Sequence, residues 1–247
     1  MKISVCLIVK NEESCLKECL QSVIAFADEI IIVDTGSNDA TVAIAQEFTT
    51  QVFSYIWNDD FAAARNYALL HATGDWIVSI DADEIIMNPE KMRDSLVALP
   101  ANIGGALIEL ESHAHRPDGT KDIFSINLLR VFRNSPHIRW EYCIHEQILE
   151  SILRAGFSIQ HIPVRYFHKG YDLSPDQMKQ KHERNVKLLT KHLEKNPKDG
   201  YMWFQRAKTY RALAHNRQAF ADITQALKYL NNNHSAKPQA LNEAALL

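Results

Sequence analysis

The chain has 247 residues, 46% of them hydrophobic, and a net charge of −3. That size suits one large domain or a domain with an appendage, and the apolar content is ample for a core. Lys and Arg are dispersed without a basic stripe, which argues against a nucleic-acid partner, and the longest apolar runs, such as Ile3 to Val9, are too short to span a bilayer.

Ile3 to Val9 is a nearly continuous apolar run, the pattern of a parallel strand covered on both faces. Lys10-Asn11-Glu12-Glu13 follows at its carboxyl end. Leu16, Cys19, Leu20 and Val23 then recur at helical spacing. Glu29 to Val33 reads as a second strand ending in Asp34-Thr35-Gly36-Ser37-Asn38-Asp39, with Asn38 or Asp39 as cap of a helix from Ala40 to Phe48. Gln51 to Tyr55 is a third strand, and Phe61 to Ala72 a third helix, capped by Asp59 or Asp60 and followed by Gly74. Trp76 to Ile80 is the fourth strand, called from its length, its β-branched and aromatic content and the preceding glycine. No signal-peptide pattern precedes these elements. Cys6, Cys15, Cys19 and Cys143 lack metal-type spacing, so a reduced, cytoplasmic setting is expected.

This alternation is the pattern of a doubly wound α/β domain, whose ligands bind outside the carboxyl ends of the strands. Three polar segments fall at such ends: Lys10-Asn11-Glu12, Asp34-Thr35-Gly36-Ser37 and Asp81-Ala82-Asp83. In extended backbone Asp81 and Asp83 point to one face. Carboxylates gathered there repel unless something positive lies between them, and Mn²⁺ or Mg²⁺ with phosphate oxygens fits that need. The competing reading makes the acids a helix N-terminus favoured by the macrodipole, with Pro89 opening the helix to Leu99.

After that helix, Gly105 to Ser112 alternates as an antiparallel strand, Arg116 to Thr120 reads as a hairpin turn, and Ile123 to Phe132 returns. Trp140 to Gln147 follows, then a short helix or strand pair to His168. From Ser174, a cap, and Pro175 the chain is helical to about Lys195, and Asn196 to Gly200 breaks it. Trp203, Ala207, Tyr210, Ala219, Ile223 and Ala226 then match most anchor positions of one tetratricopeptide repeat. A lone repeat needs support from the long helix or from a partner. The tail beyond Asn231 reads as a frayed end or part of a further repeat. The expected domains are 1–172, with a nucleotide-sugar half (1–90) and an acceptor half (91–172), and a helical extension at 173–247.

With Ser4 to Glu12, Val33 to Asp39, Phe61-Ala62-Ala63-Ala64-Arg65-Asn66 and Thr73 to Glu84 in this order, the chain resembles family 2 glycosyltransferases of the GT-A fold, a Rossmann-like nucleotide-diphospho-sugar transferase domain. It is most similar to a bacterial branch with tetratricopeptide-like tails. That branch includes bacteriocin S-glycosyltransferases, and lipopolysaccharide-core glucosyltransferases share its first half. The resemblance implies that Asp34 binds the base or ribose and that Val9, Lys10, Asn11 and Glu12 line the same pocket. It implies that Arg65 lies near the nucleotide or diphosphate, that Asp81 contacts ribose or metal-bound water, that Ala82 belongs to the same cofactor-binding set, and that Asp83 ligates Mn²⁺ or Mg²⁺. His168, in His168-Lys169-Gly170-Tyr171, is the implied further ligand. Glu146, in a His-Glu element, is the implied base, with Asp122 as second candidate.

The implied reaction is inverting, metal-dependent transfer from a nucleotide-sugar, a UDP-sugar first, to a glycan, lipid-linked or peptide acceptor. Peripheral membrane contact and self-association through the tail remain open. Nucleotidyl transfer to a sugar phosphate shares the layout, but it usually carries a glycine-rich loop where Lys10-Asn11-Glu12-Glu13 has no glycine. A non-catalytic nucleotide-binding adaptor is the third reading. Zinc hydrolysis is disfavoured, since no His-Glu-x-x-His helix exists.

Overall fold

The computed structural model describes residues 1–115, 121–169, 175–232, 234 and 236–246. The expected turn at Arg116 to Thr120, the Gly170-Tyr171 pair and the Ser174 cap lie outside them. The chain divides into two compact units, Met1–Tyr142 with Glu146–Asp172, and Cys143–His145 with Leu173–Leu247.

The first unit runs β1 (Ile3–Val9), α1 (Leu16–Val23), β2 (Glu29–Asp34), α2 (Thr41–Phe48), β3 (Val52–Ser54), α3 (Phe61–His71), β4 (Trp76–Ser79), β5 (Glu84–Ile86), α4 (Glu90–Val97), β6 (Ile103–His115), β7 (Lys121–Arg133), α5 (Leu149–Arg154) and β8 (Ser158–His168). All strands join one sheet in the order β3-β2-β1-β4-β7-β6-β8-β5. β1 is parallel to both β2 and β4, and β4 pairs antiparallel with β7. The sheet is covered on both faces. Ile3, Val5, Leu7 and Val9 pack with Leu16, Cys19, Leu20 and Val23 of α1, whereas Cys6 packs with Ala62, Ala68 and Leu69 of α3. A strand buried on both sides has no solvent-facing side, which is why β1 is apolar except for Ser4, whose hydroxyl donates to Glu29.

Several boundaries differ from expectation for local reasons. Asp60, not Asp59, caps α3 by accepting from the Ala63 amide at 2.8 Å. Asp59 takes a left-handed backbone (φ 67°) and accepts from Trp57 Nε1. Ala40 holds the cap position of α2, while Asp39, just before it, accepts from the Thr41 amide at 3.0 Å. Pro89 caps α4 rather than beginning it. The larger correction is β5, since the sequence reading places no strand between Ile80 and Pro89. It pairs antiparallel with β8, setting Glu84 opposite His168.

The second unit contains α6 (Pro175–Lys195), α7 (Gly200–Ala212), α8 (Asn216–Tyr229) and α9 (Lys237–Ala245). Phe204, Ala207, Ile223, Ala226, Leu230, Ala236 and Ala240 form its core. Of the expected anchors, Trp203 and Tyr210 are only half-buried. They flank Arg206, which lies 4.7 Å over the Trp203 ring and forks onto Asp222 at 2.7 and 2.9 Å. Arg206 also donates to Thr190 of α6 at 3.0 Å, so the long helix supports the pair. The tail forms a helix, α9, with proline in its first turn.

At the amino ends of β1 and β2, Glu29 ties the parallel strands together. Its carboxylate accepts from Lys2 Nζ at 2.8 Å, the Thr73 amide at 2.6 Å, Thr73 Oγ1 at 2.8 Å and the Gly74 amide at 3.1 Å. Burial opposes the charged form, but Lys2, Ser4 and Thr73 outweigh it and take the Glu29 carboxyl down to about 2 from an ordinary 4.5. A depressed carboxyl stabilises the fold above its unfolded value, and that contribution is lost as pH falls through the folded one. Acid unfolding of the wild type, followed by circular dichroism between these two values, is therefore expected to be steeper than that of Glu29→Gln. Parallel pH profiles would contradict the assignment.

Candidate active site

The site lies at the carboxyl ends of β1, β2 and β4, at the switch in strand order where open α/β sheets bind ligands. Two loops build its β1–β2 side and are laced together. The Asn11 amide donates to Ser37 Oγ at 2.9 Å, and Asn11 Oδ1 accepts from the Asn38 amide at 2.9 Å. The Glu12 amide donates to Thr41 Oγ1 at 2.7 Å. Asn11 adopts a left-handed backbone (φ 57°), which asparagine tolerates well. Asp34 is buried, and its carboxylate accepts from the Gly36 and Ser37 amides at 3.1 Å, fixing the turn after β2. The Val9 side chain belongs to the core, and its carbonyl accepts from the Thr35 amide at 2.9 Å. Lys10 and Asn11 are exposed and Glu12 is half-buried. Burial pushes the Glu12 carboxyl up, Asp83 and Asp81 adding to the rise while a Cys15 hydrogen bond opposes it.

Two arginines organise the acids after β4. Arg65, buried on α3, donates from Nη2 to Asp81 Oδ1 at 2.7 Å, from Nη1 to Ser79 Oγ at 3.1 Å and from Nε to Glu146 Oε1 at 2.7 Å. Its guanidinium also lies 5.1 Å from the Trp140 ring centre. Arg130 donates from Nη2 to Asp81 Oδ2 at 2.6 Å and to Glu84 Oε1 at 2.7 Å. The antiparallel register, with Val78 opposite Val131, brings Arg130 of β7 alongside the end of β4. Burial opposes the Asp81 carboxylate, yet Arg130 and Arg65 hold it well below the usual range. Glu84 is 1% exposed; burial pushes its carboxyl up although Arg130 pulls it down. Its Oε2 accepts from the Asp81 amide at 2.9 Å.

Asp83 differs from Asp81. Its side chain is 35% exposed, and Oδ2 lies 3.0 Å from His168 Nε2. The β5–β8 pairing causes this contact, and the Lys169 amide donating to the Asp83 carbonyl at 2.9 Å extends it. Burial disfavours the charged imidazole, but Asp83 outweighs it and raises His168. Among the described residues no group of three or more His, Cys, Asp or Glu side chains is placed to hold a metal. One carboxylate and one imidazole suit Mn²⁺ or Mg²⁺ when phosphate oxygens and water complete the shell, so this pair fits a divalent cation shared with a diphosphate. Ala82 is buried and offers a ligand only backbone groups. Asp122 sits near the start of β7, opposite Ala114. Sequence reasoning passed over Arg130 and Ser79 and gave Glu84 no role. The available signal was a lone cation in the apolar run Leu128-Leu129-Arg130-Val131-Phe132.

Removing one partner of a buried ion pair leaves an uncompensated charge. Arg130→Met is expected to destabilise the fold by about 3 kcal/mol on that ground, and Glu84→Gln in the same chain should recover part of it. Urea unfolding of the two variants measures this, and an unchanged midpoint in Arg130→Met would contradict it.

Residues 4–103 match the family model described as Glycosyl transferase family 2. A TPR repeat-containing protein of Synechococcus elongatus is 35% identical over 208 residues, covering 81% of this chain and 50% of that protein. The SPbeta prophage-derived glycosyltransferase SunS of Bacillus subtilis is 29% identical over 195 residues, covering 78% of this chain and 45% of SunS. The chain thus spans about half the length of these curated relatives. Among solved structures, residues 1–349 of S. aureus TarS share the fold with a TM-score of 0.56 at 15% identity, covering 99% of this chain and 88% of that one. TarS has also been crystallised with UDP-GlcNAc. The chain carries a glycosyl transferase family 2 domain on a GT-A fold, followed by the helices α6 to α9.

Proposed function

We propose that the chain transfers a sugar from a nucleotide-sugar, a UDP-sugar, to a glycan, lipid-linked or peptide acceptor, inverting the anomeric carbon. One observation carries this reading. Arg65 and Arg130 engage both oxygens of Asp81, while Asp83 stands partly exposed beside His168 at the ligand-binding edge of the sheet. In this reading Asp83 and His168 hold Mn²⁺ or Mg²⁺. Such a cation, when bound, supplies Lewis-acid stabilisation of the departing diphosphate.

The residues of the chain do the remaining work. The turn fixed by Asp34 and the loop from Val9 to Glu12 receive the nucleoside. Arg65 acts through its partners, since Nε, Nη1 and Nη2 all have acceptors; it orients Asp81 and Glu146. Glu146 Oε1 accepts from Arg65, which leaves Oε2 to take the proton from the acceptor nucleophile. The acceptor atom then bonds to the anomeric carbon as the sugar–phosphate bond on the opposite face breaks. The helices α6 to α9 are assigned to protein contacts, with a peptide acceptor or a second copy, a reading that the TPR-containing relative supports. No helix among the described residues is long and apolar enough to cross a membrane. A cytoplasmic site of action, peripheral at the membrane when the acceptor is lipid-linked, completes the reading.

The test is calorimetry of UDP binding with and without Mn²⁺. Replacing a group that merely supports a metal site typically lowers metal affinity ten- to a hundred-fold, so Asp83→Ala is expected to weaken Mn²⁺-dependent binding by at least about ten-fold. Equal affinity with and without metal in the wild type would overturn the assignment. Glu146→Gln is expected to keep donor binding and lose transfer by roughly 10²-fold or more; full turnover would remove it as the base.

A further inference from the structure

The second unit holds a constellation that sugar transfer does not use. Cys143 Sγ lies 3.6 Å from His192 Nδ1, and His192 Nε2 lies 2.8 Å from Asp199 Oδ2. His192 is in the last turn of α6, and Asp199 caps α7, its Oδ1 accepting from the Met202 amide at 3.1 Å. A carboxylate on Nε2 fixes that nitrogen as the N–H donor. Nδ1 is thereby the lone-pair nitrogen, and it faces the sulfur. Thiol, base and orienting carboxylate in sequence is the arrangement that activates a nucleophile.

The backbone around Cys143 is also unusual. Glu141 and Gln147 exchange two backbone hydrogen bonds of 2.9 and 3.0 Å, closing a loop at its base. Within that loop Tyr142 (φ 73°) and His145 (φ 53°) are both left-handed without being glycine. Such strain gathers at functional sites. The other thiols are in different surroundings. Cys6 and Cys19 are buried, and burial pushes both up. Cys15 is pushed up to about 12 by burial and by Glu12.

We propose that Cys143, His192 and Asp199 form a reactive-thiol site whose substrate is a small hydroperoxide. His192 Nδ1 takes the thiol proton. The thiolate attacks the terminal oxygen of ROOH; an S–O bond forms as the O–O bond breaks. The departing alkoxide recovers the proton from His192, so the thiol and ROOH become a sulfenic acid and ROH, sulfur being oxidised and the peroxide reduced. Cys143 is half-buried, which admits a small oxidant and disfavours a bulky one. The site is independent of the sugar-transfer reading.

The test treats the full chain with limiting hydrogen peroxide in the presence of dimedone and follows each cysteine by mass spectrometry. Cys143 is expected to be labelled about ten-fold or more faster than Cys15, because the thiolate is the reacting form. His192→Gln should lower that rate about ten-fold and remove the thiolate ultraviolet absorbance. Asp199→Asn keeps a good helix cap and should lower the rate as well. Melting curves of the variants separate unfolding from loss of activation, and the wild-type comparison needs no variant at all. Labelling of Cys143 no faster than Cys15, or an unchanged rate in folded His192→Gln, would overturn the proposal.

Discussion

The parallel half of the sheet depends on how charge is balanced after β4. Glu12, Asp81, Asp83 and Glu84 act on one another there, and each further carboxylate raises the cost of the rest. At an effective dielectric near 20, two like charges 4 Å apart repel by about 4 kcal/mol. Arg65 and Arg130 offset this by bridging Asp81, with Glu84 and Glu146 on their outer sides. The balance is selective. Asp83 is instead paired with His168, whose charge depends on protonation. A partly exposed carboxylate beside an imidazole is an arrangement that suits one further cation.

The same pairings explain why distant segments meet. Arg65 comes from α3, Arg130 from β7 and Glu146 from the loop before α5. Each reaches the end of β4 through sheet register or helix packing. The β5–β8 pair then delivers His168 to Asp83. Strands β5, β7 and β8 bring residues to the end of β4, beside the loops that follow β1 and β2. A strand from late in the chain thus helps set the charge after β4.

Much of this was legible in the residues. β1, β2 and β4 announce themselves as apolar runs because they are covered on both faces, and α1 because its four buried residues keep helical spacing. The polar segments expected at strand ends do follow β1, β2 and β4. The rest was not legible for specific reasons. β5 is a three-residue strand whose first residue is an acid, and its partner lies far away in sequence. Arg130 sits inside β7, and nothing in its local sequence names the acids after β4 as its partners. Trp203 and Tyr210 matched repeat anchors by spacing, but Met202 and Phe204 fill the interior instead.

The most direct measurement is a crystal structure of the protein with Mn²⁺ and UDP. The central claim predicts manganese bound by Asp83 and His168 and the diphosphate, with Asp81 still bridged by Arg65 and Arg130. Asp81 leaving both arginines to enter the metal shell, or a diphosphate bound away from Asp83, would contradict it.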